Sequence, residues 1–150
     1  MVVLYEGRIM FLKDSIKLTL EGAKAILAAA ERKAREIGVP MDIAIVDEGG
    51  NLLAFERMDG AKITSIDIAI NKAFTAAGSR RGTHEYADIA APGRPAFGIH
   101  VSNQGRFMIF GGGLPIVVKG EVVGGIGCSS GTAEEDRIVA QAGLDALPKD

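Results

Sequence analysis

The sequence predicts an α+β domain whose central, mainly antiparallel sheet of about five strands is flanked by helices. Three separate segments repeat apolar residues at helical spacing, and the predicted strands between them are joined by short turns instead of helical crossovers. The 150 residues match the size of one domain. We therefore expect a single domain over residues 1–150, with residues 1–18 as an N-terminal extension and residues 19–147 as the core.

The first predicted elements are a helix and a hairpin. Apolar residues of segment 20–37 alternate spacings of three and four, which predicts one buried helical face. Thr19 is a residue type that caps helix starts, and Gly38 suits the left-handed position after a helix. Residues 41–47 and 52–58 form the predicted hairpin, because the DEGGN turn between them favours chain reversal.

A second helix and an irregular segment follow. Thr64 and Asp67 have the spacing of a capping box, and the apolar helical face that begins there ends at Gly78. Helical periodicity is lost over residues 79–106, where the sequence PGRP at residues 92–95 interrupts the chain. We predict a short helical piece and then a long loop, and such loops are often functional.

The C-terminal part of the chain combines two strands and a last helix. Residues 116–118 and 121–128 are predicted strands joined at a Lys-Gly turn. Thr132 and Glu135 form a second capping box, which opens a helix that ends at about Leu147.

The composition is that of an ordinary globular protein, with 47% hydrophobic residues, 24% charged residues and a formal net charge of −2. Nucleic-acid binding is not expected, because no basic run extends beyond Arg80 and Arg81 and the chain has no tryptophan. The N-terminal residues lack the uninterrupted apolar segment of a secretory signal, and no apolar stretch has membrane-spanning length. We therefore expect a cytoplasmic protein with neither nucleic-acid nor membrane partners.

Five ordered blocks of the sequence carry a resemblance to a known family. They are AIVDEGGNL at residues 44–52, FERMDGA at 55–61, NKAFTA at 71–76, GGGLPI at 111–116, and GGIG at 124–127 followed by Glu135 and Asp136. Together they resemble the GlcG/HbpS-like family, which also supplies the C-terminal domain of PduO-type cobalamin adenosyltransferases. The resemblance covers residues 19–147, and five blocks in order are more specific than any single motif.

The resemblance implies a profilin-like or roadblock-like α-β-α architecture and homo-oligomers, often octamers. It also implies heme as a cofactor, because some members bind heme or help to degrade it. No motif of this chain carries over an axial heme ligand, and membership of a fold family specifies architecture better than chemistry.

The loop GCSSG at residues 127–131 matches the G-x-S-x-G pattern of a nucleophile elbow. A serine nucleophile at Ser129 is not favoured, because no histidine follows it in the chain. Two other interpretations stay open: the loop is a tight turn that caps the last helix, or its free amides hold an anion at the helix start.

The glycine triplet, Gly111, Gly112 and Gly113, precedes a strand and lacks the spacing of a phosphate-binding loop. It is therefore either a loop that lines a ligand pocket or a simple bend at a strand entry. The resemblance favours the pocket.

The two histidines, His84 and His100, both lie in the irregular segment. Each is a candidate ligand or acid/base catalyst, and neither has the spacing of a zinc site, so no metal site is predicted. His100 is the preferred candidate, because its apolar neighbours suggest a short extended stretch directed at the glycine triplet.

Arg57 and Lys72 belong to the family-like blocks. A lysine in the middle of a helix is commonly solvated, with its stem on the surface. The alternative is that Arg57 and Lys72 together hold a carboxylate or a propionate in a pocket.

These residues leave three hypotheses about function. The first is a cytoplasmic homo-oligomer that binds heme, another tetrapyrrole or a small carboxylated metabolite near the glycine triplet. The second is an enzyme acting on a small catabolic intermediate, with His100 or His84 as acid/base and Arg57 and Lys72 as anion clamp. The third is an accessory protein that acts through subunit contacts alone.

Overall fold

The protein is described by a computed structural model that covers residues 11–149. Most of the predicted N-terminal extension, residues 1–10, lies outside the described residues, as does residue 150. No helix within the described range is long and apolar enough to cross a membrane.

A four-stranded antiparallel sheet forms the centre of the domain. Its strands are β1 (Asp42–Asp47), β2 (Leu52–Arg57), β3 (Gly113–Val118) and β4 (Glu121–Ser129), and their order is β2-β1-β4-β3. The predicted α+β class and antiparallel sheet are confirmed. The prediction of about five strands is corrected to four for the described residues, since each predicted hairpin contributes two strands and no further strand joins them.

Helices cover both faces of this sheet. They are α1 (Leu20–Ile37), α2 (Thr64–Ser79), the short α3 (Tyr86–Ile89) and α4 (Ala133–Leu144). Helices α1 and α4 pack on the face that carries the isoleucines of β1 and β4, and α2 packs on the opposite face. The result is the α-β-α layering that the resemblance implies.

The face covered by α2 is built from very small residues. On α2, Ala69, Ala73 and Ala77 are buried against the sheet. A Cβ added to Gly125 or Gly127 of β4 would collide with the α2 backbone. Glycine is therefore required at both strand positions, because the helix backbone lies in direct contact with the strand.

Local caps explain where two of the helices begin. Thr19 accepts a hydrogen bond from the Gly22 N–H at the start of α1, and Thr132 and Glu135 form the predicted capping box of α4. At the other end of α1, Gly38 has φ +72° in the left-handed region, as predicted.

The predicted start and end of α2 are wrong. Ile63 precedes Thr64 with helical φ −66° and ψ −32°, and no side chain caps this end. A capping residue needs an extended backbone, so Thr64 cannot cap from inside the helix. The helix also continues past Gly78 to Ser79 and ends at Arg80, which adopts φ +61°.

The irregular segment between α2 and β3 contains the predicted short helical piece, which is α3. Tyr86 of α3 packs edge-to-face against Phe107 with ring centroids 4.8 Å apart, so the two ends of the segment are in contact. The predicted extended stretch at His100 is wrong, because Ile99–Val101 is a turn of 3-10 helix closed by a hydrogen bond from the Val101 N–H to the Gly98 carbonyl.

Candidate functional site

The glycine triplet lies against the buried interior. A Cβ on Gly112, whose φ is +128°, would lie 2.5 Å from the Cys128 carbonyl oxygen and 2.7 Å from Nζ of Lys72. A Cβ on Gly113 would lie 2.5 Å from the Lys72 carbonyl oxygen. Real carbon atoms do not approach so closely, so only glycine fits at these positions. The triplet thus brings backbone into contact with Lys72.

Lys72 is fully buried, with 0% of its surface exposed. Its Nζ donates hydrogen bonds to Oδ2 of Asp136 at 2.8 Å and to the Cys128 carbonyl oxygen at 3.0 Å. The same Nζ lies 4.5 Å from the centroid of the Phe110 ring. A buried ammonium needs such partners, because removing a charge from water is costly unless it is paired and hydrogen-bonded.

Asp136 links this lysine to the start of α4. Its Oδ1 accepts a hydrogen bond from the Gly131 N–H at 2.9 Å, while Oδ2 binds Lys72. Burial lowers the pKa of Lys72 and raises the pKa of Asp136, and in each case the attraction between the two groups opposes the shift. The resulting ion pair joins α2, β4 and α4 beneath the glycine triplet.

Phe110 forms the exposed boundary of this cluster. Its ring lies over the Lys72 ammonium, yet 41% of the residue is exposed to solvent. Contact between a cation and an aromatic ring contributes about 0.5–2 kcal/mol and holds the ring in place. The exposed part of the ring is therefore a fixed apolar surface that a ligand can contact.

His84 lies beside the triplet on a 3-10 turn, Thr83–Glu85. Thr83 anchors this turn, because its buried Oγ1 accepts a hydrogen bond from the Gly113 N–H at 2.9 Å. A Cβ on Gly111 would lie 3.4 Å from Cβ of His84. Of the two histidines, the structure therefore brings His84 to the glycine triplet.

The surroundings of His84 favour the neutral form of its imidazole. Burial lowers the pKa of His84, the positive charge of Arg137 lowers it further, and Glu85 opposes the shift. Its Nδ1 is buried and has no hydrogen-bond partner within residues 11–149. A neutral imidazole can accept a proton or bind a metal ion, and those are the two chemical roles open to His84.

Arg57, Asp42 and Ser129 form a row across three strands. Asp42 lies opposite Arg57 of β2 on one side and opposite Ser129 of β4 on the other. Asp42 is fully buried, and neither of its carboxylate oxygens has a hydrogen-bond partner in the described part of the chain. Burial raises the pKa of Asp42, and exposed Arg57 opposes that shift. Arg57 and Lys72 therefore face different acids, and their joint role as an anion clamp stays a prediction.

Three backbone amides in the turn that follows Ser129 have side-chain partners. The Gly131 N–H donates to Asp136, and the Thr132 and Glu135 N–H groups bond to each other's side chains at 2.9 and 3.2 Å. Ser129 itself is 4% exposed at the end of β4. The structure thus agrees with a tight capping turn, and a ligand-binding role for Ser129 stays a prediction.

His100 is exposed, and its ring contacts the exposed Phe97 with centroids 6.4 Å apart. None of the contacts found among residues 11–149 joins it to the glycine triplet. The same residues contain no group of three His, Cys, Asp or Glu side chains that could hold a metal ion.

Sequence reasoning gave no role to Asp136, Phe110 or Asp42. Asp136 lies 64 positions from Lys72, so no local spacing could pair them. Phe110 directly precedes the glycine triplet, and an aromatic residue at the entrance of a glycine loop was the one signal available. Asp42 is the first residue of β1, and the four residues between it and the last residue, Asp47, are apolar. An acid at the start of such a strand was the signal available for Asp42.

Comparison with known proteins gives close relatives. The chain is 49% identical over 130 residues to an uncharacterized 15.0 kDa protein from the dhaT-dhaS intergenic region of Citrobacter freundii, covering 87% of this chain and 92% of that protein. It is 33% identical to the corrinoid adenosyltransferase PduO of Salmonella typhimurium, covering 88% of this chain but only 39% of the length of PduO.

Solved structures of similar proteins share the fold. The Klebsiella pneumoniae protein ORFY superposes with a TM-score of 0.86 at 42% identity, covering 89% of this chain and 93% of that one. A crystal structure of a PduOC–heme complex superposes with a TM-score of 0.84 at 32% identity, covering 88% and 96%.

A family profile described as "Haem degrading protein HbpS-like" matches residues 18–145. That range includes all four helices and all four strands described above. The chain therefore belongs to the HbpS-like family, as its five sequence blocks indicate.

Proposed function

We propose that this protein binds heme, or a closely related tetrapyrrole, at the surface formed by the glycine triplet, His84 and Phe110. The observation that carries the proposal is the position of His84, a partly buried histidine next to Gly111, in a loop where the partly exposed Phe110 immediately precedes that glycine. The heme complex of the similar PduOC protein supports this choice of ligand.

The residues at this surface fit heme in three respects. Heme iron is commonly held by a histidine nitrogen, and His84 offers a neutral imidazole. A flat macrocycle needs an apolar surface, and Phe110 supplies one. The glycine triplet lets backbone lie close by without side chains in the way.

When bound, heme would supply the redox and oxygen chemistry of its iron. The role of this chain would be to hold and orient it. His84 would bind the metal and Phe110 would contact the ring. The Lys72–Asp136 ion pair would keep Phe110 and the triplet in place from beneath.

The proposal includes assembly into a cytoplasmic homo-oligomer, with the octamer as the expected form. Large apolar side chains are exposed on the described part of the chain, including Phe97 at 59%, Val101 at 71% and Phe110 of the site at 41%. A second subunit would cover both these side chains and the outer side of a bound macrocycle. Light scattering of the purified protein with and without hemin tests the assembly.

The test of the proposal is a hemin titration followed by visible absorbance, with two matched histidine variants. We expect a saturable Soret band in the wild type, and its loss or shift in His84→Ala. His100→Ala is the control, because this exposed histidine contacts Phe97 and not the triplet. Its titration should match that of the wild type.

Two results would overturn the proposal. One is a wild-type protein that shows only nonspecific, unsaturable absorbance changes. The other is a specific band that disappears in His100→Ala and persists in His84→Ala, which would move the site to the exposed turn.

A second candidate function is an enzyme that acts on a small carboxylated metabolite. The lowered pKa of His84 favours it, since a neutral imidazole can serve as a general base. Turnover that follows the titration of His84 and is lost in His84→Ala, in a protein that does not bind hemin, would support this function.

A further inference from the structure

Arg137 is an exposed residue of α4 that immediately follows Asp136. In an α-helix the carbonyl of residue 133 accepts a hydrogen bond from the amide of residue 137, so the two lie one turn apart on the same face. The Ala133 carbonyl oxygen is itself next to the glycine triplet, 3.0 Å from a Cβ built on Gly111. Arg137 therefore lies on α4 one helical turn after Ala133, the residue that contacts the triplet.

His84 lies on the other side of the same glycine. Its Cβ would be 3.4 Å from the Gly111 Cβ. The positive charge of Arg137 is also close enough to lower the pKa of His84. Gly111 thus has His84 on one side and the start of α4, with Arg137, on the other.

The guanidinium of Arg137 forms no ion pair with another described residue. Within residues 11–149 the ion pairs use Lys17, Lys33, Arg35, Lys72 and Arg94, and none uses Arg137. The adjacent Asp136 carboxylate is already bound to Lys72 and to the Gly131 amide. An unpaired cation therefore lies at the edge of the proposed ligand site.

We propose that Arg137 binds a carboxylate of the ligand and makes this site selective for carboxylated tetrapyrroles over their neutral esters. The inference rests on the proposed function, because it assigns a partner to the side chains of the same ligand. An arginine suits this role, since its planar guanidinium can form two parallel hydrogen bonds with one carboxylate.

The test compares hemin with hemin dimethyl ester in the same detergent-containing buffer. The ester cannot form the charge-assisted pair with Arg137, so wild-type protein should bind hemin at least about tenfold more tightly than the ester. Arg137→Gln should lose that preference by weakening hemin binding and leaving ester binding unchanged. High salt should reduce the wild-type preference.

Arg32→Gln is the matched control. Arg32 is an exposed arginine of α1 that lines a groove with Asp145 and Ala146, which follow the C-terminal end of α4. Its replacement should leave the ratio of hemin to ester affinity unchanged. Equal affinities of the wild type for hemin and ester, or an unchanged ratio in Arg137→Gln, would overturn the inference while leaving heme binding intact.

A protein that binds no hemin would overturn the proposed function and the inference together.

Discussion

Replacing Asp136 by asparagine removes the negative charge that neutralises Lys72 and keeps the shape of the side chain. In the wild type the ammonium is 0% exposed and lies 2.8 Å from the carboxylate. The variant leaves it with the Cys128 carbonyl and the Phe110 ring as partners. A buried cation would thus remain without a counter-charge.

Removing one partner of a buried ion pair costs about 3–5 kcal/mol of folding free energy. For a domain of 150 residues, each kcal/mol lowers the melting temperature by about 2–4 °C. We therefore expect Asp136→Asn to melt about 6–20 °C below the wild type. The double variant Lys72→Met, Asp136→Asn should lose less than the sum of the single variants, because neither charge is then left unpaired.

The pH dependence separates lost charge pairing from poor packing. Burial lowers the pKa of Lys72 below its value in the unfolded chain, and Asp136 opposes this in the wild type. Without Asp136 the shift grows, so the unfolded state binds more protons than the folded state in the alkaline range. Stability of Asp136→Asn should therefore rise more steeply than that of the wild type as the pH increases toward 10.5, the ordinary pKa of lysine.

Thermal denaturation followed by circular dichroism measures the melting temperature, and urea denaturation at several pH values measures how stability depends on pH. Asp88→Asn is the control, because Asp88 pairs with Arg94 at 3.0 Å on the exposed surface. Its loss should change stability by less than about 1 kcal/mol. If Asp136→Asn were as mild as this control, or lacked the extra alkaline stabilisation, the assignment of a buried, charged Lys72–Asp136 pair would be refuted.

Two further predictions concern the triplet and the outer strand. Gly105→Ala should destabilise the protein by roughly 1–2 kcal/mol of backbone strain, because Gly105 has a positive φ but no neighbouring atom near an added Cβ. Gly112→Ala should cost more, because Gly112 has a positive φ and an added Cβ would also collide with neighbouring atoms. Equal losses of stability in urea denaturation would contradict this collision at Gly112. Burial and the nearby Glu31 raise the pKa of Glu56 to about 7, so stability should fall as pH rises from about 4.5 to 7, and Glu56→Gln should remove this slope. Glu36 is exposed, so the control Glu36→Gln should leave this pH dependence of stability unchanged. A pH dependence that persists in Glu56→Gln would contradict the raised pKa of Glu56.

The sequence correctly predicted where a helix begins when its capping residue lies only a few positions from the amide that it caps. The caps of α1 and α4 are bonds between residues three positions apart, so residue type and spacing were sufficient. The segment just before α2 is held instead by a bond from the Lys62 N–H to Oγ of Ser130, 68 positions away. Residue spacing near Thr64 could not reveal that contact, and the capping box predicted there was wrong.

The candidate site was predicted in part, for the same reason. The glycine triplet and Lys72 stood out as family-like blocks, and the structure brings them into contact. Two properties depend on packing between distant segments: the burial of Lys72 and the choice of His84 over His100 as the histidine beside the triplet. Helical periodicity indicates which face of α2 is buried, but not that a charged residue there finds an acid on α4.

The alanines and glycines between α2 and the sheet have a consequence for the entropy of folding. Alanine and glycine lose no side-chain rotamer freedom when they are buried, whereas each isoleucine loses about 0.5–1 kcal/mol. The alanine and glycine contacts of the α2 side, such as Ala73 against Gly127, therefore form without a side-chain ordering cost, unlike the isoleucine contacts around Ile43 and Ile126. The ordering cost of the isoleucines grows in proportion to absolute temperature. When the protein is heated, side-chain ordering therefore weakens the packing of α2 on the sheet less than it weakens the packing of α1 and α4.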